Sequence, residues 1–199
     1  MSFTGIKSRG GSHTRAKQVA RILALSQSAA RGRLRLGNLW YPCALGRSGC
    51  RARKREGDGA TPLGRWPVRE VFYRPDCVRR PKAALPVRAI RNEDGWCDAP
   101  ADRNYNRRVR LPYGASAEHL WREDGLYDLV VVLGCNDRPR VRNRGSAIFM
   151  HVARPGYAPT EGCIALARPH LLRLLARLRP SCRVTTSTKD IAGIRSRGQ

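Results

Sequence analysis

No stretch of the 199-residue chain approaches the roughly 18 consecutive apolar residues that a membrane-spanning helix needs. No Cys-x-x-Cys pair occurs, and the seven cysteines, at 43, 50, 77, 97, 135, 163 and 182, are irregularly spaced. That pattern excludes a zinc ribbon or finger. His119 and His170 have no second ligand at metal spacing, so the sequence asks for no metal, and it carries no signature of an organic cofactor. Lysine is scarce: of 39 basic residues five are lysines and 34 are arginines. Acidic residues are missing altogether before Glu56, where the chain already holds thirteen basic ones. There is no internal repeat.

These absences frame what is present. A hydrophobic content of 41% is enough for one core, and the length suits one domain of about 140 to 170 residues plus a tail. The net charge of +24 has competing readings. It is either an attraction to polyanions such as nucleic acid, or a general arginine bias, or an affinity for an anionic polymer such as a cell wall. The arginines are scattered through loops and apolar segments rather than set along one helix face, so no specific nucleic-acid partner is expected. Seven cysteines leave at least one thiol free within a single chain, and the others remain open to pairing in an exported protein.

Residues 1–32 read as a basic, flexible arm. Arg21 interrupts its apolar cluster at Val19, Ile22, Leu23 and Leu25, a poor match to a secretory signal, and a short amphipathic helix over about 15–29 is one option. Short strands with turns start near Arg33, and 51–62 is a charged, glycine-rich loop. Val68 to Tyr73 and Val87 to Ile90 are strand candidates; Ser116 to Arg122 suggests one or two helical turns. Leu126 to Leu133 and Ala147 to Ala153 are apolar on consecutive positions, as in strands buried on both faces. Pro169 suits a helix start, and Leu171, Leu174, Leu175 and Leu178 form one stripe that Pro180 ends. Arg183 to Thr188 reads as a last strand. The expected fold is mainly β, a compact sandwich or barrel of short strands with one packed helix in the C-terminal half. The domain spans 33–187, and 188–199 forms a flexible tail.

The chemistry concentrates at His151 and Cys163. His151 ends an apolar run; Cys163 lies in Thr160-Glu161-Gly162-Cys163-Ile164, a tight glycine turn. A thiol of ordinary pKa near 8.5 is mostly protonated at neutral pH and needs a base before it attacks. The connection Arg154-Pro155-Gly156-Tyr157-Ala158-Pro159 has the prolines and glycine of a rigid, folded-back loop. Gly162 permits a sharp turn and presents the Gly162 and Cys163 N–H groups toward a developing oxyanion.

A histidine, a loop, then Ser/Thr-x-Gly-Cys and an apolar residue resembles the catalytic signature of the L,D-transpeptidases of the YkuD type. Gly57-Asp58-Gly59-Ala60-Thr61-Pro62-Leu63-Gly64 is similar to that family's early Thr-Pro-x-Gly segment, and Gly145 to His151 to its strand leading to the base. The likeness runs from about Arg33 to Arg183. It departs from the family at Glu161, where a histidine is common, and at Ala165, where Arg or Asn is common.

The resemblance implies that Cys163 is the nucleophile and His151 its base and acid, with the turn Thr160, Glu161 and Gly162 around the oxyanion. Arg144 and Tyr157 are the candidates for holding substrate, Arg144 through a bidentate carboxylate contact. Trp96-Cys97-Asp98 and Asn104-Tyr105-Asn106 either line the cleft or serve packing and turns. Glu161 either orients His151 or repels it. The implied partners are peptidoglycan stem peptides and, as acyl acceptor, a second stem or a wall-attached protein. The implied place is the periplasm or cell envelope. Alternatives are a Cys/His peptidase or carboxypeptidase with water as acceptor, and a basic nucleic-acid-binding protein.

Overall fold

Alternation of period two builds the first strands. The computed structural model describes residues 17–188. In β1 (Val19–Ala24) the side chains of Ala20, Ile22 and Ala24 are buried while Arg21 is exposed. In β2 (Arg31–Leu36) Gly32, Leu34 and Leu36 turn inward while Arg31, Arg33 and Arg35 face solvent. Then follow β3 (Leu39–Ala44), β4 (Cys50–Arg51), β5 (Thr61–Pro62), β6 (Gly64–Tyr73), β7 (Val87–Ala89), β8 (Asp94–Cys97), β9 (Arg107–Arg110) and β10 (Ala117–His119). The chain continues through β11 (Leu129–Leu133), β12 (Phe149–Val152), β13 (Ile164–Leu166), α1 (Arg168–Leu175) and β14 (Arg183–Ser187).

The main sheet runs β11-β12-β13-β3-β2-β1-β14-β6-β7, and a further pairing of β6 with β11 closes it on itself like a barrel. Inside lies a core that includes Ile22, Leu34, Val131, Met150, Ile164 and Leu166, together with Leu171, Leu174 and Leu175 of α1. Burying each such leucine contributes about 1.5–3 kcal/mol of transfer free energy. A second, three-stranded sheet, β10-β8-β9, covers the outer face of β11 and β12. Trp96 and Leu120 from that side meet Val130, Val132 and Phe149 in a separate core, with the Trp96 and Phe149 rings edge-to-face at 5.0 Å. Every residue of β11 is therefore buried, since it has the barrel interior on one face and this cover on the other.

The mainly-β architecture and the single packed helix agree with the sequence expectation. Two local readings do not. A helix over 15–29 is replaced, in its described part, by β1 in the middle of the main sheet between β2 and β14. Arg21 does not break an apolar cluster; it is the outward residue of an alternating strand. The sheet thus begins at Val19, inside the stretch assigned to the arm, whose residues 1–16 lie outside the described part, as do 189–199 of the tail. The helical turn expected over 116–122 is β10 instead, because pairing of Ala117–His119 with Gly95–Cys97 overrides weak local propensity. All seven cysteines are free.

Because Ile22 is fully buried between two paired neighbours, Ile22→Ala is expected to lower unfolding free energy by about 2–5 kcal/mol. Urea denaturation of the full chain measures this. A loss under 1 kcal/mol would place β1 outside the cooperative unit.

Candidate active site

β12 and β13 are parallel neighbours, with Met150 opposite Ile164 and His151 opposite Ala165. Stepping that register back by one sets Cys163 beside Phe149, and the Phe149 N–H lies 3.4 Å from Cys163 Sγ. His151 is two residues further along the adjacent strand, on the same face. Strand geometry puts the two Cα atoms about 8 Å apart, and both side chains line one cavity of about 470 Å³.

The turn that bears Cys163 is tied down from several directions. Thr160 Oγ1 donates to the Cys163 carbonyl at 2.7 Å and accepts the Gly162 N–H at 3.2 Å. Thr61 Oγ1 accepts the Gly46 N–H at 2.8 Å and reaches the same Cys163 carbonyl at 3.4 Å. The Thr160 backbone pairs with Leu45 and Arg47. Gly162 has φ +127°, and a Cβ there would stand 2.8 Å from the Ala60 carbonyl oxygen, so no side chain fits. Thr61 belongs to the Thr-Pro-x-Gly segment read in the sequence, to which no role was given there.

The sulfur itself sits between backbone groups. Cys163 Sγ donates to the Ala147 carbonyl at 3.1 Å. Ala147 holds φ +50°, a left-handed conformation rare for alanine, and its N–H donates to Asn106 Oδ1. Strain of this kind costs on the order of 1–3 kcal/mol and persists where surroundings enforce it. Asn106, itself buried, also accepts from Trp96 Nε1 and donates to the Cys135 and Asn136 carbonyls. It thereby joins the covering sheet to the strand that leads into His151.

His151 Nδ1 lies 2.8 Å from the Val152 carbonyl, which can only accept. The proton is therefore assigned to Nδ1, leaving the Nε2 lone pair unengaged. Tyr127 packs edge-to-face on the imidazole with ring centroids 5.4 Å apart and donates its hydroxyl to Glu118 at 2.6 Å. Burial pushes the His151 imidazole down to about 4 and the Cys163 thiol up to about 12, the latter with help from the nearby Glu118 charge. Burial also raises the Glu118 carboxyl and the Tyr127 hydroxyl. At neutral pH these shifts favour a neutral thiol beside a neutral imidazole.

The cavity brings together Cys163, His151, Thr160 and Glu161 from the sequence reading. Glu161 neither orients nor repels the histidine: its exposed carboxylate pairs with Arg47 at 2.7 Å. Arg144 lies exposed on a turn and Tyr157 on the short 3-10 turn Pro155–Tyr157; neither lines the cavity. The cations that do are Lys54, Arg122 and Arg154, facing the carboxylates of Glu56, Asp98, Glu118 and Glu161. Lys54 is committed to Asp58 and Arg122 to Asp124, whereas Arg154 has no ion-pair partner among the described residues. Of the polar-aromatic segments, Asp98 reaches the cavity, Trp96 is core, and Asn104 bonds Tyr113. Among the described residues no cluster of three or more His, Cys, Asp or Glu is placed to hold a metal ion.

A family model for the YkuD L,D-transpeptidase catalytic domain matches residues 27–186. No curated protein and no solved structure matches the chain.

The depressed His151 value makes stability pH-dependent. Between pH 6.5, where a free histidine takes up its proton, and about 4, the unfolded chain binds a proton at this site that the folded chain does not. The contribution is complete above pH 6.5 and is lost as the pH falls toward 4, amounting to about 3 kcal/mol. Unfolding free energies at pH 7 and pH 4 should differ by about that much more in the unaltered protein than in His151→Gln. Equal pH dependence in the two would show that the imidazole is not held neutral.

Proposed function

The chain belongs to the YkuD family of L,D-transpeptidase catalytic domains, and from that premise we propose that it transfers a peptidoglycan stem-peptide acyl group through a thioester on Cys163. The observation that carries the proposal is the placement of Cys163 and the unengaged Nε2 of His151 on one face of adjacent strands, in one cavity.

In the first step the Cys163 thiol turns from the Ala147 carbonyl toward His151. Since burial disfavours both a thiolate and an imidazolium, proton transfer to Nε2 accompanies attack on the substrate carbonyl rather than preceding it. The S–C bond forms, the bond to the terminal D-alanine breaks, and its amine leaves with the proton from Nε2. In the second step an acceptor amine attacks the thioester carbonyl, His151 takes the amine's proton, and the sulfur departs with a proton returned to it. Base strength near neutral pH is not needed when the imidazole alternates roles within each step. The Gly162 N–H is held by Thr160, so the oxyanion role expected of the pair passes to the Cys163 N–H. Thr160 then acts by fixing the turn.

The mixed lining suits a zwitterionic peptide better than a polyanion. Arg154, which lines the cavity without an ion-pair partner among the described residues, is assigned to a stem carboxylate, and Glu118 to an ammonium group of donor or acceptor. The envelope is the compartment that contains such a substrate. Among the described residues no helix is long and apolar enough to cross a membrane.

Incubating the full chain with purified sacculi and resolving the muropeptides by mass spectrometry tests the reaction. Crosslinked dimers with release of D-alanine are expected. Cys163→Ala should abolish them, and His151→Ala should slow them about 10²- to 10⁴-fold. Shortened monomers without dimers would make water the acceptor, and no product at all would refute the assignment.

A further inference from the structure

One row of register-matched residues crosses the sheet from the catalytic strand to the solvent: Val130, His151, Ala165, Ala44 and Arg31 lie on β11, β12, β13, β3 and β2 in turn. Residues matched across neighbouring strands point to the same face. The face that bears His151 under the covering sheet is therefore continuous with the outer face of β2, about 14 Å away over three strand spacings. Arg31 Nη2 donates to the Gly156 carbonyl at 2.7 Å, in the loop between His151 and Cys163.

Beyond Arg31 this face is an array of arginines. A second row places Trp40, Arg35, Arg21, Thr185 and Arg65 on β3, β2, β1, β14 and β6, and Arg33 stands between the rows on β2. Arg21, Arg31, Arg33, Arg35 and Arg65 are all exposed, and none has an ion-pair partner among the described residues. Strands β1, β2, β3 and β14 contain no Asp or Glu. Arg21 and Arg35 stand directly opposite each other on paired strands, where like charges are destabilising. Successive arginines on β2 repeat about every 6.8 Å along a rigid strand, so the spacing does not relax as it would in a loop. The Arg35 guanidinium is held over the exposed Trp40 ring at 5.2 Å.

We propose that this arginine face is a docking surface for the carboxylate-bearing glycopeptide polymer of the wall, feeding a stem peptide from the bound polymer into the cavity beside Gly156. This inference rests on the proposed transpeptidase reading for the identity of the polymer. Charge complementarity supplies the attraction, and the Arg31 hydrogen bond to Gly156 sets the surface against the loop that joins His151 to Cys163, the row between them being covered at Ala44 and Ala165. The cavity, with more carboxylates than cations, takes one zwitterionic stem; the arginine face takes the anionic neighbours along the same polymer.

The test compares two full-length variants of equal charge, Arg21→Ser/Arg33→Ser/Arg35→Ser on this face and Arg91→Ser/Arg107→Ser/Arg110→Ser around β9, for cosedimentation with purified sacculi at 0.15 M salt. The first is expected to lose about tenfold or more in binding, the second less than about twofold. The ratio of turnover on sacculi to turnover on a soluble stem peptide should fall by a similar factor in the first variant only. Equal losses in both variants would reduce the effect to net charge and overturn the docking site. So would retained sacculus binding in the first variant, or a loss confined to anionic phospholipid vesicles or duplex DNA. Cys163→Ala, inactive on the proposed reaction, should still bind sacculi as the unaltered protein does. Failure of the enzyme assay therefore leaves this binding result separately readable.

Discussion

The carbonyl oxygen of Cys163 accepts hydrogen bonds from two threonine hydroxyls that are distant in sequence, Thr61 and Thr160. The rest of the site depends on that convergence. Thr61 also takes the Gly46 N–H, and Thr160 the Gly162 N–H, so one buried oxygen joins the end of β3, the short β5 and the turn before β13. Loss of either hydroxyl would leave buried polar groups unmatched, at about 1–3 kcal/mol each. Gly162 is the only residue type that fits between this clamp and the Ala60 carbonyl. The turn is rigid for packing and hydrogen-bonding reasons before any chemistry is considered, and the same rigidity aims the sulfur at the face His151 occupies.

Burial then sets the electrostatics. The covering sheet buries Cys163, His151 and Tyr127 together, which favours the neutral thiol and neutral imidazole. A thiol held neutral in this way is a weak nucleophile and is less prone to oxidation than a thiolate. The strained Ala147 and its Asn106 partner hold the carbonyl to which the thiol donates at rest. Backbone strain, cover and clamp all act on the one sulfur. The arginines, which dominate the composition, lie mostly outside this cavity; those that enter it are balanced by carboxylates.

How much of this could be read from the sequence followed the range of the interactions. His151 and Cys163 were legible because their turn and loop are local, and β11, β12 and α1 because their apolar patterns are long or regular. β1 was misread because a single arginine within an apolar cluster looks like an interruption until the period-two burial is seen. β10 was misread because its extended form comes from pairing with β8. Arg144 and Tyr157 lie near His151 and Cys163 in sequence, yet of the arginines that close by, it is Arg154 that lines the cavity. Arg122 and Glu118 come from a segment that only the closure of the sheet and its cover bring to it. Thr61 stood in a motif that was noticed, but nothing local revealed that its hydroxyl reaches Cys163. Asn106 gave no signal beyond a polar-aromatic segment, since its side-chain bonds span 10 to 41 residues of chain.

The account stands on the sulfur of Cys163 carrying the acyl group between donor and acceptor. Intact-mass spectrometry of the full chain, quenched in acid after brief mixing with a soluble stem tetrapeptide, reads this directly. The account predicts a protein species heavier by the donor stem less its D-alanine, cleaved by hydroxylamine, mapped to Cys163 and absent from Cys163→Ala. An adduct on another residue, or product formed by Cys163→Ala at the unaltered rate, would contradict it.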